Sequence, residues 1–523
     1  MLDDSTTPPH AVARSDLGSL TTRAARRNPD GVAFVEAATG EETTFAAFET
    51  HAVSCVEELY GLGLGRGDVV AILARNSVEM YAAHFAALKL GAVTLFLNVD
   101  RTPSDLAYQL RDAGADAVVY DPEFSEKLDP YRDEATLEPA LTTDRIAELG
   151  SPGKTEVPDV DEPTLTDTAI EPSDTALILY TSGTTSRPKG VVHTHRSYSY
   201  GVINTLVGGD VRQNEIQTAV LPLFHIHQDL WTKAALCVGA TTVLYDEFEP
   251  ESFLESVDRY DLTYLNLMAS MYRRLVEFDV PEDDVASVRR CVHGMPMETS
   301  IRERVVESFD AELQKVYGQT EALIATFLDP EWQFEKPGNY VGEPTPFVEV
   351  AVMDDDGNLL DREETGEIVL RGPTVMEGYL NMPEKSAATW EHGWHHTDDV
   401  GLIDEDGLLF FVDREKDVVK TGGENVSSIK VENVVAEHPA VRECAVVGLP
   451  HGEWGEAITA FVTVHEDVPV EDLRAHCADH LAGFERPKDF VIRSEFPYTS
   501  TGKITKSNLE AEYRDYYRDS EEG

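Results

Sequence analysis

Lysine, cysteine and long uncharged apolar runs are what this chain of 523 residues has least of. Only 14 of its 43 basic residues are Lys, set against 96 Asp and Glu, for a formal net charge of −53. The carboxylates run along the whole chain, so the surface repels phosphate backbones and anionic lipid, which excludes nucleic acid as a partner. Dispersed acidity with scarce lysine fits a halophilic protein at molar salt, where a Debye length of about 3 Å screens self-repulsion. An acidic interaction surface is the alternative. Neither reading names a chemistry.

The five cysteines, Cys55, Cys237, Cys291, Cys444 and Cys477, are odd in number and far apart, with no Cys-x-x-Cys pair. That argues against a disulfide framework and a zinc site and suits a reducing cytoplasm. The first residues, MLDDSTTPPH, show no basic stretch followed by an apolar core, so no signal peptide is read. The most membrane-like run, 81-YAAHFAALKLGAVTLFLNV-99, holds His84, Lys89 and Gly91. It reads as helix, glycine stop and buried strand, and no transmembrane segment is expected.

What is present is βα alternation. Helical patterns at 46–63 and 80–90 interleave with apolar runs at 69–74, 93–98 and 117–121, and the alternation resumes at 176–181, 217–223 and 241–246. This predicts an α/β fold with mostly parallel sheets flanked by helices. The Pro-, Gly- and acid-rich stretch 148–174 reads as a surface linker. From about 347 the runs 347-FVEVAVMD-354, 367-EIVLRG-372 and 408-LLFFVD-413 are joined by acidic Asp-Gly turns, a barrel-like antiparallel pattern. Residues 414–523 form a compact tail of mixed α and β character, long enough for a second small domain after a first of 1–413.

The stretch 180-YTSGTTSRPKGVVHTH-195 is the first candidate for chemistry. A nucleotide-binding P-loop needs G-x-x-x-x-G-K-[ST], and here Pro188 precedes Lys189 and the spacing fails. What remains is a strand running into a loop with hydroxyls at Thr181, Ser182, Thr184 and Thr185, with Gly183 and Gly190 permitting tight turns. Composition alone leaves two options open, a polyphosphate clamp and a polar surface hairpin.

In order along the chain stand 180-YTSGTTSRPKG-190, 221-LPLFHIH-227, 317-YGQTE-321, 366-GEIVLRGPTVMEGYLN-381, 394-WHHTDDVG-401, 413-DREKDVVKTGGENV-426 and 499-TSTGKI-504. This series resembles the motif order of the AMP-forming, adenylate-forming superfamily, from about residue 18 to 510. Within it, 422-GGENVSSIKVENVV-435 and 445-AVVGLPHGEWGE-456 are most similar to acyl-CoA ligases. The resemblance implies a large N-terminal adenylation domain with a barrel-like subdomain, then a small mobile C-terminal domain. It implies that a small-molecule carboxylic acid and ATP give an acyl-adenylate and pyrophosphate, and that coenzyme A then displaces AMP. Loading of a carrier protein, or a non-catalytic nucleotide-binding relative, are the alternatives, and a homodimer is an open option.

Position by position, the resemblance implies that Thr181, Ser182, Gly183, Thr184, Thr185 and Lys189 close on the β- and γ-phosphates. Tyr317 stacks near the adenine with Gly318 allowing close approach, Thr320 contacts the α-phosphate, and Glu321, with Thr181, holds Mg²⁺. Asp399 and Arg414 hold the ribose, and Lys503 reaches the carboxylate and α-phosphate. Lys416 is the implied hinge, with Lys420, Gly422 and Gly423 on the face that arrives for the thiol step. His225 matches an aromatic gate to the acyl and thiol paths; a core histidine packed on Phe224 is the other reading. Scarce positive charge gathered in these motifs suits the joining of two anions.

The chain departs from the family pattern at four places. Ser186 stands where glycine is common in the loop, and Asp398 where T-G-D has its glycine. His293 and Met295 flank Gly294 in 291-CVHGMPM-297, where small residues are usual, and Gln228 replaces another glycine. Larger and polar side chains there predict a shortened or partly polar acyl pocket; compensating repacking is the alternative.

Overall fold

The computed structural model describes residues 16–132, 139–150, 170–181, 187–278, 280, 282–336, 338–498 and 504–517. The elements that carry the site follow in chain order. They are helix α1 (Val78–Leu90), strands β1 (Thr175–Thr181) and β2 (Lys189–Thr194), helix α2 (His195–Gly208), strand β3 (Ile216–Ala219) and helix α3 (Ile226–Val238). Next come β4 (Tyr264–Asn266), β5 (Arg290–His293), α4 (Thr299–Phe309), β6 (Glu312–Gln319) and β7 (Leu323–Leu328). The last are β8 (Gly378–Tyr379), β9 (His395–Ile403), β10 (Leu409–Arg414) and α5 (Ser428–Ala436).

The run that most resembled a membrane span is α1, a stop and a strand. Ser77 caps α1 by accepting from the Met80 amide, Gly91 ends it at φ 71°, and Val93–Phe96 follows as a fully buried strand. α1 lacks an amphipathic period because nearly every one of its residues is buried. Among the described residues no helix is long and apolar enough to cross a membrane.

Two large sheets carry the first part of the chain. The seven-stranded sheet has a parallel centre and ends in the antiparallel trio β1, β2, β8. The thirteen-stranded sheet is parallel through β3, β4, β5 and β6, then antiparallel from β7 onward. The expected barrel-like region is this antiparallel half, where Tyr340–Pro344, Glu349–Met353, Gly366–Arg371, β9 and β10 follow β7. A five-stranded sheet with its own core makes the small C-terminal α+β unit. The fold class thus follows the βα pattern. The linker expectation at 148–174 lies largely outside the described residues.

Helices α1, α2 and α3 fill the space between the two large sheets, in one continuous core. A buried charged group holds this layer. Asp229 on α3 accepts from Tyr81 of α1 at 2.8 Å and from Tyr198 of α2 at 2.5 Å, and it pairs with Lys233 one turn on. The Lys233 ammonium also meets His84 Nε2 at 2.8 Å, whose other nitrogen meets Thr94 Oγ1 at 2.9 Å. Burial, then the Lys233 charge, hold the His84 imidazole well below its usual range, so it is neutral and Nε2 accepts from the ammonium. One ion pair thereby joins a helix of the thirteen-stranded sheet to helices that follow strands of the seven-stranded one.

A second joint links the large and small units. Asp413, at the end of β10, accepts from the Ser428 amide at 2.6 Å and its hydroxyl at 2.7 Å, at the first turn of α5. Lys506 donates to the same hydroxyl at 2.6 Å and pairs with Glu432 at 2.7 Å.

Breaking the first joint has a defined consequence. Lys233→Met leaves Asp229 buried without its cation and is expected to cost about 3–5 kcal/mol in urea unfolding. Asp229→Leu combined with Lys233→Met should be less destabilised than the single variant. A single variant as stable as the parent would contradict the assignment.

Candidate active site

The motif segments converge at the carboxyl ends of parallel strands, where open α/β sheets place their ligands. Residues 222–228 follow β3, Asn266 ends β4, His293–Met295 leave β5, and Tyr317–Glu321 leave β6. The hairpin from β6 to β7 is tight for two reasons. A Cβ at Gly318 would lie 2.1 Å from the Leu323 carbonyl oxygen, and Leu323 itself adopts a left-handed φ of 60°. Gly318 therefore has a backbone reason to be glycine, independent of any ligand. The neutral imidazole of His193, on β2, steadies this hairpin by donating from Nε2 to the Thr320 carbonyl at 2.7 Å. Burial pushes His193 down to about 4.

The strand register sets Thr181 of β1 opposite Lys189 of β2, so the phosphate-loop candidate spans the tip of this hairpin. Ser182, Gly183, Thr184 and Thr185 lie outside the described residues, as does Lys503. Lys189 lies 4.3 Å from the centre of the Tyr379 ring and donates to its hydroxyl at 3.2 Å. Tyr379 in turn donates to Glu321 Oε1 at 3.0 Å. Burial and the neighbouring Lys385 push the Lys189 ammonium down, while Glu321 and Asp398 pull the other way. The Thr181 hydroxyl is buried with no partner.

A second cluster surrounds Asp399. Tyr317 donates to its Oδ2 at 2.7 Å, and Gln319 donates to the same oxygen at 2.6 Å and to the Thr397 carbonyl at 2.8 Å. Arg414 pairs with Asp399 across β9 and β10, with Nε 3.6 Å from Oδ1. Burial raises the Asp399 carboxyl, and Arg414, Tyr317 and Gln319 oppose that rise. Asp398 is exposed at a left-handed φ of 59°, which accounts for the glycine common at that place in T-G-D. Its charge still reaches the cluster, opposing the lowering of Lys189 and adding to the rise of the Asp399 carboxyl.

The residues expected on the acyl side and beyond the hinge are placed as follows. Gln228 is fully buried and its amide donates to the Thr218 carbonyl of β3 at 3.2 Å, so it packs between α3 and the sheet. His293 is fully buried, with Nδ1 on the Met295 carbonyl at 2.9 Å, and Met295 packs at the edge of the core that Cys291 and Leu313 share with α4. A Cβ at Gly294 would make ordinary van der Waals contact, 3.7 Å from His227 and 3.8 Å from Val316. Gly422 and Gly423, at φ 60° and 88°, form the two-residue turn between Val419–Thr421 and Glu424–Val426, a local need separate from hinge motion.

His225 precedes α3 as its N-cap residue, half-buried, with its ring centre 4.8 Å from that of Phe224. Lys416 and Lys420 are exposed at the start of the C-terminal unit.

Residue-type reasoning missed Tyr379, Gln319, His193 and the pair His227–Asn266, which meet at 2.6 Å. Tyr379 and Gln319 lie inside quoted motifs and were within reach. His193 was not, because its role depends on a strand pairing. Among the described residues no group of three or more His, Cys, Asp or Glu is gathered for a metal. Glu321 and the unpartnered Thr181 hydroxyl offer hard oxygen donors, which fits Mg²⁺ carried in on phosphates, since that ion keeps most ligands from phosphate and water.

A mixed α/β fold with a carboxylate, tyrosine and lysine relay and a buried Asp399 paired with an exposed Arg414 fits a nucleotide-dependent acid-activating ligase. The comparisons agree: residues 21–380 match the AMP-binding enzyme family and residues 430–503 its C-terminal domain, so the chain belongs to the AMP-binding enzymes. It is 31% identical over 506 residues to the long-chain-fatty-acid–CoA ligase FadD13 of Mycobacterium tuberculosis, covering 95% of this chain and 98% of that one. It is 32% identical over 499 residues to feruloyl-CoA synthase of Amycolatopsis sp, covering 94% and 98%. ATP-bound MatB from Rhodopseudomonas palustris superposes with a TM-score of 0.86 at 27% identity, covering 96% and 99%. MenE from Bacillus subtilis with its acyl-adenylate intermediate gives 0.82 at 28% identity, covering 94% and 98%. The protein is an AMP-forming acid–thiol ligase that uses ATP and coenzyme A.

Gln319→Leu removes one of two side-chain donors to the Asp399 carboxylate. The expected result is an ATP KM raised on the order of tenfold, with a smaller change in kcat. Unchanged ATP kinetics would show that Asp399 does not need this support.

Proposed function

We propose that the chain converts a short, medium or polar-substituted carboxylic acid to its coenzyme A thioester through an acyl-adenylate. Residues 1–413 act as the adenylation domain and 414–523 as a domain that turns about Lys416. The single observation that carries the reading is the relay from Lys189 through Tyr379 to Glu321, set across two sheets beside Asp399 and Arg414.

The carboxylate attacks the α-phosphate and pyrophosphate leaves. Both partners are anions, so their approach needs donors fixed beforehand. Thr181–Lys189 hold the leaving phosphates, Thr320 donates to the α-phosphate, and Tyr317 lies against the adenine. Asp399 accepts from the ribose through Oδ1, the oxygen that Tyr317 and Gln319 leave open and that Arg414 Nε approaches at 3.6 Å, while Arg414 donates to the same sugar. Glu321 and Thr181 would hold Mg²⁺, which would supply charge neutralisation for the pyrophosphate. Lys503 spans the carboxylate and α-phosphate in this step. In the second step Lys420, Gly422 and Gly423 face the nucleotide and His225 lies on the thiol path.

The acidic surface supports work at molar salt in a cytoplasm. A carrier protein in place of coenzyme A is not favoured, since relatives from several sources are coenzyme A ligases.

Lys503→Ala is expected to lower acyl-adenylate formation on the order of 10²–10³-fold. Thioester formation from a supplied acyl-adenylate should be largely spared, and equal loss of both half-reactions would contradict the two-face scheme. A panel of acids assayed for coenzyme-A-dependent AMP release in molar KCl checks the pocket: preference for chains of twelve carbons or more would overturn the short-pocket reading.

A further inference from the structure

Strand β2 reaches the hairpin between β6 and β7 twice. Lys189 and His193 are four residues apart on β2, so their side chains share one face of it, about 13 Å apart along the strand. Lys189 donates to the Tyr379 hydroxyl, and Tyr379 donates to Glu321. His193 donates from Nε2 to the Thr320 carbonyl at 2.7 Å. One strand thus holds two consecutive residues, Glu321 by its side chain and Thr320 by its backbone.

The hairpin needs that support. The β6–β7 ladder ends at Gln319 and Leu323, so the residues between them have no strand partner. Their carbonyls find donors elsewhere. Thr320 takes the His193 imidazole, and Glu321 takes the Met376 amide at 2.8 Å. Met376 leads into β8, which pairs with β2 through Gly378 and Tyr379. Both carbonyls are therefore fixed from the edge of the seven-stranded sheet that carries Lys189, although the hairpin belongs to the thirteen-stranded one.

The imidazole is itself held in place. It is fully buried, its Nδ1 meets the Ser197 hydroxyl at 3.2 Å, and its ring stands edge-to-face with Tyr198 at 5.8 Å between centres. Tyr198 donates to Asp229, the carboxylate of the joint between the sheets. A chain of contacts runs from that joint through Tyr198 and His193 to Thr320. A histidine kept for packing alone has no need to end there. This one donates to the backbone beside Glu321, the residue that closes the relay to Lys189.

We infer that His193 is a positioning residue for acyl-adenylate formation, aligning Thr320 and Glu321 with the strand that carries Lys189. This rests on the reading of Thr320 and Glu321 as the residues that meet the α-phosphate and Mg²⁺. The effect falls on the first half-reaction, in which the pyrophosphate and its cation are placed.

Three substitutions in the full chain separate this from a packing role. His193→Leu removes the donor, His193→Asn keeps an amide too short to reach Thr320, and His193→Gln puts an amide nitrogen near the place of Nε2. In the Leu and Asn variants, kcat for adenylate formation should fall on the order of tenfold, and the half-saturating Mg²⁺ concentration should rise at least about threefold. His193→Gln should recover most of both losses. Thioester formation from a supplied acyl-adenylate should change little in all three. His193→Asn decides the matter if His193→Leu does not fold. Equal loss of both half-reactions, unchanged adenylation kinetics in the Leu and Asn variants, or a folded His193→Gln as slow as they are, would overturn the inference. Thermal unfolding reads the same alignment without turnover. MgATP should raise the midpoint more than ATP with a chelator in the parent and in His193→Gln, and this difference should shrink in His193→Leu and His193→Asn. An undiminished difference would overturn the inference. Absence of AMP release from the parent with every acid would instead count against the ligase reading, while the unfolding comparison would still decide the inference.

Discussion

The site depends on two sheets being held at a fixed offset, and the buried Asp229–Lys233 pair lies at the centre of that constraint. Lys189 and Tyr379 come from the seven-stranded sheet, whereas Glu321, Tyr317, Asp399 and Arg414 come from the thirteen-stranded one. Neither sheet alone brings a lysine to a carboxylate through a tyrosine hydroxyl. The helices between them set the distance, and Asp229 gathers donors from three of those helices. A buried ion pair is weak evidence for net stability, because desolvation offsets much of the attraction. Its contribution here is to orientation: two tyrosines and a lysine satisfy one carboxylate, a neutral histidine accepts from that lysine, and any shift between layers leaves a buried charge exposed to apolar surroundings.

The same economy governs positive charge elsewhere. With 96 acidic residues and 14 lysines, each buried lysine is informative. Lys233 has a structural partner in Asp229, Lys506 one in Glu432, and Lys189 reaches Glu321 through Tyr379. Lys315 has only an amide oxygen.

Much of the fold was legible in the sequence because strand and helix periods are local. The run from 81 to 99 became helix, glycine stop and strand as its pattern and Gly91 required. The motif order gathered the candidate residues without any coordinates, and their place at strand ends came from the structure. What the sequence did not carry was direction. Gln228 and His293 stood at positions associated with the acyl pocket, yet the backbone turns Gln228 into the α3 interface and His293 under α4. Gly318 was assigned to close approach of the adenine and the Gly422–Gly423 pair to the face that arrives for the thiol step, and each has a steric or turn requirement close at hand. His193, Tyr379 and Gln319 act through partners more than 50 residues away in most cases, and such pairings follow from sheet register, which residue types do not encode. Asp398 shows the reverse: the anomaly was visible in the sequence, and its left-handed exposed backbone explains it.

The central claim is that a carboxylate oxygen attacks the α-phosphate of ATP. Turnover of an acid carrying ¹⁸O in its carboxylate, followed by mass spectrometry of the released nucleotide, tests this directly. The account predicts AMP bearing one ¹⁸O atom for each thioester formed. Unlabelled AMP, or ADP in place of AMP, would contradict it.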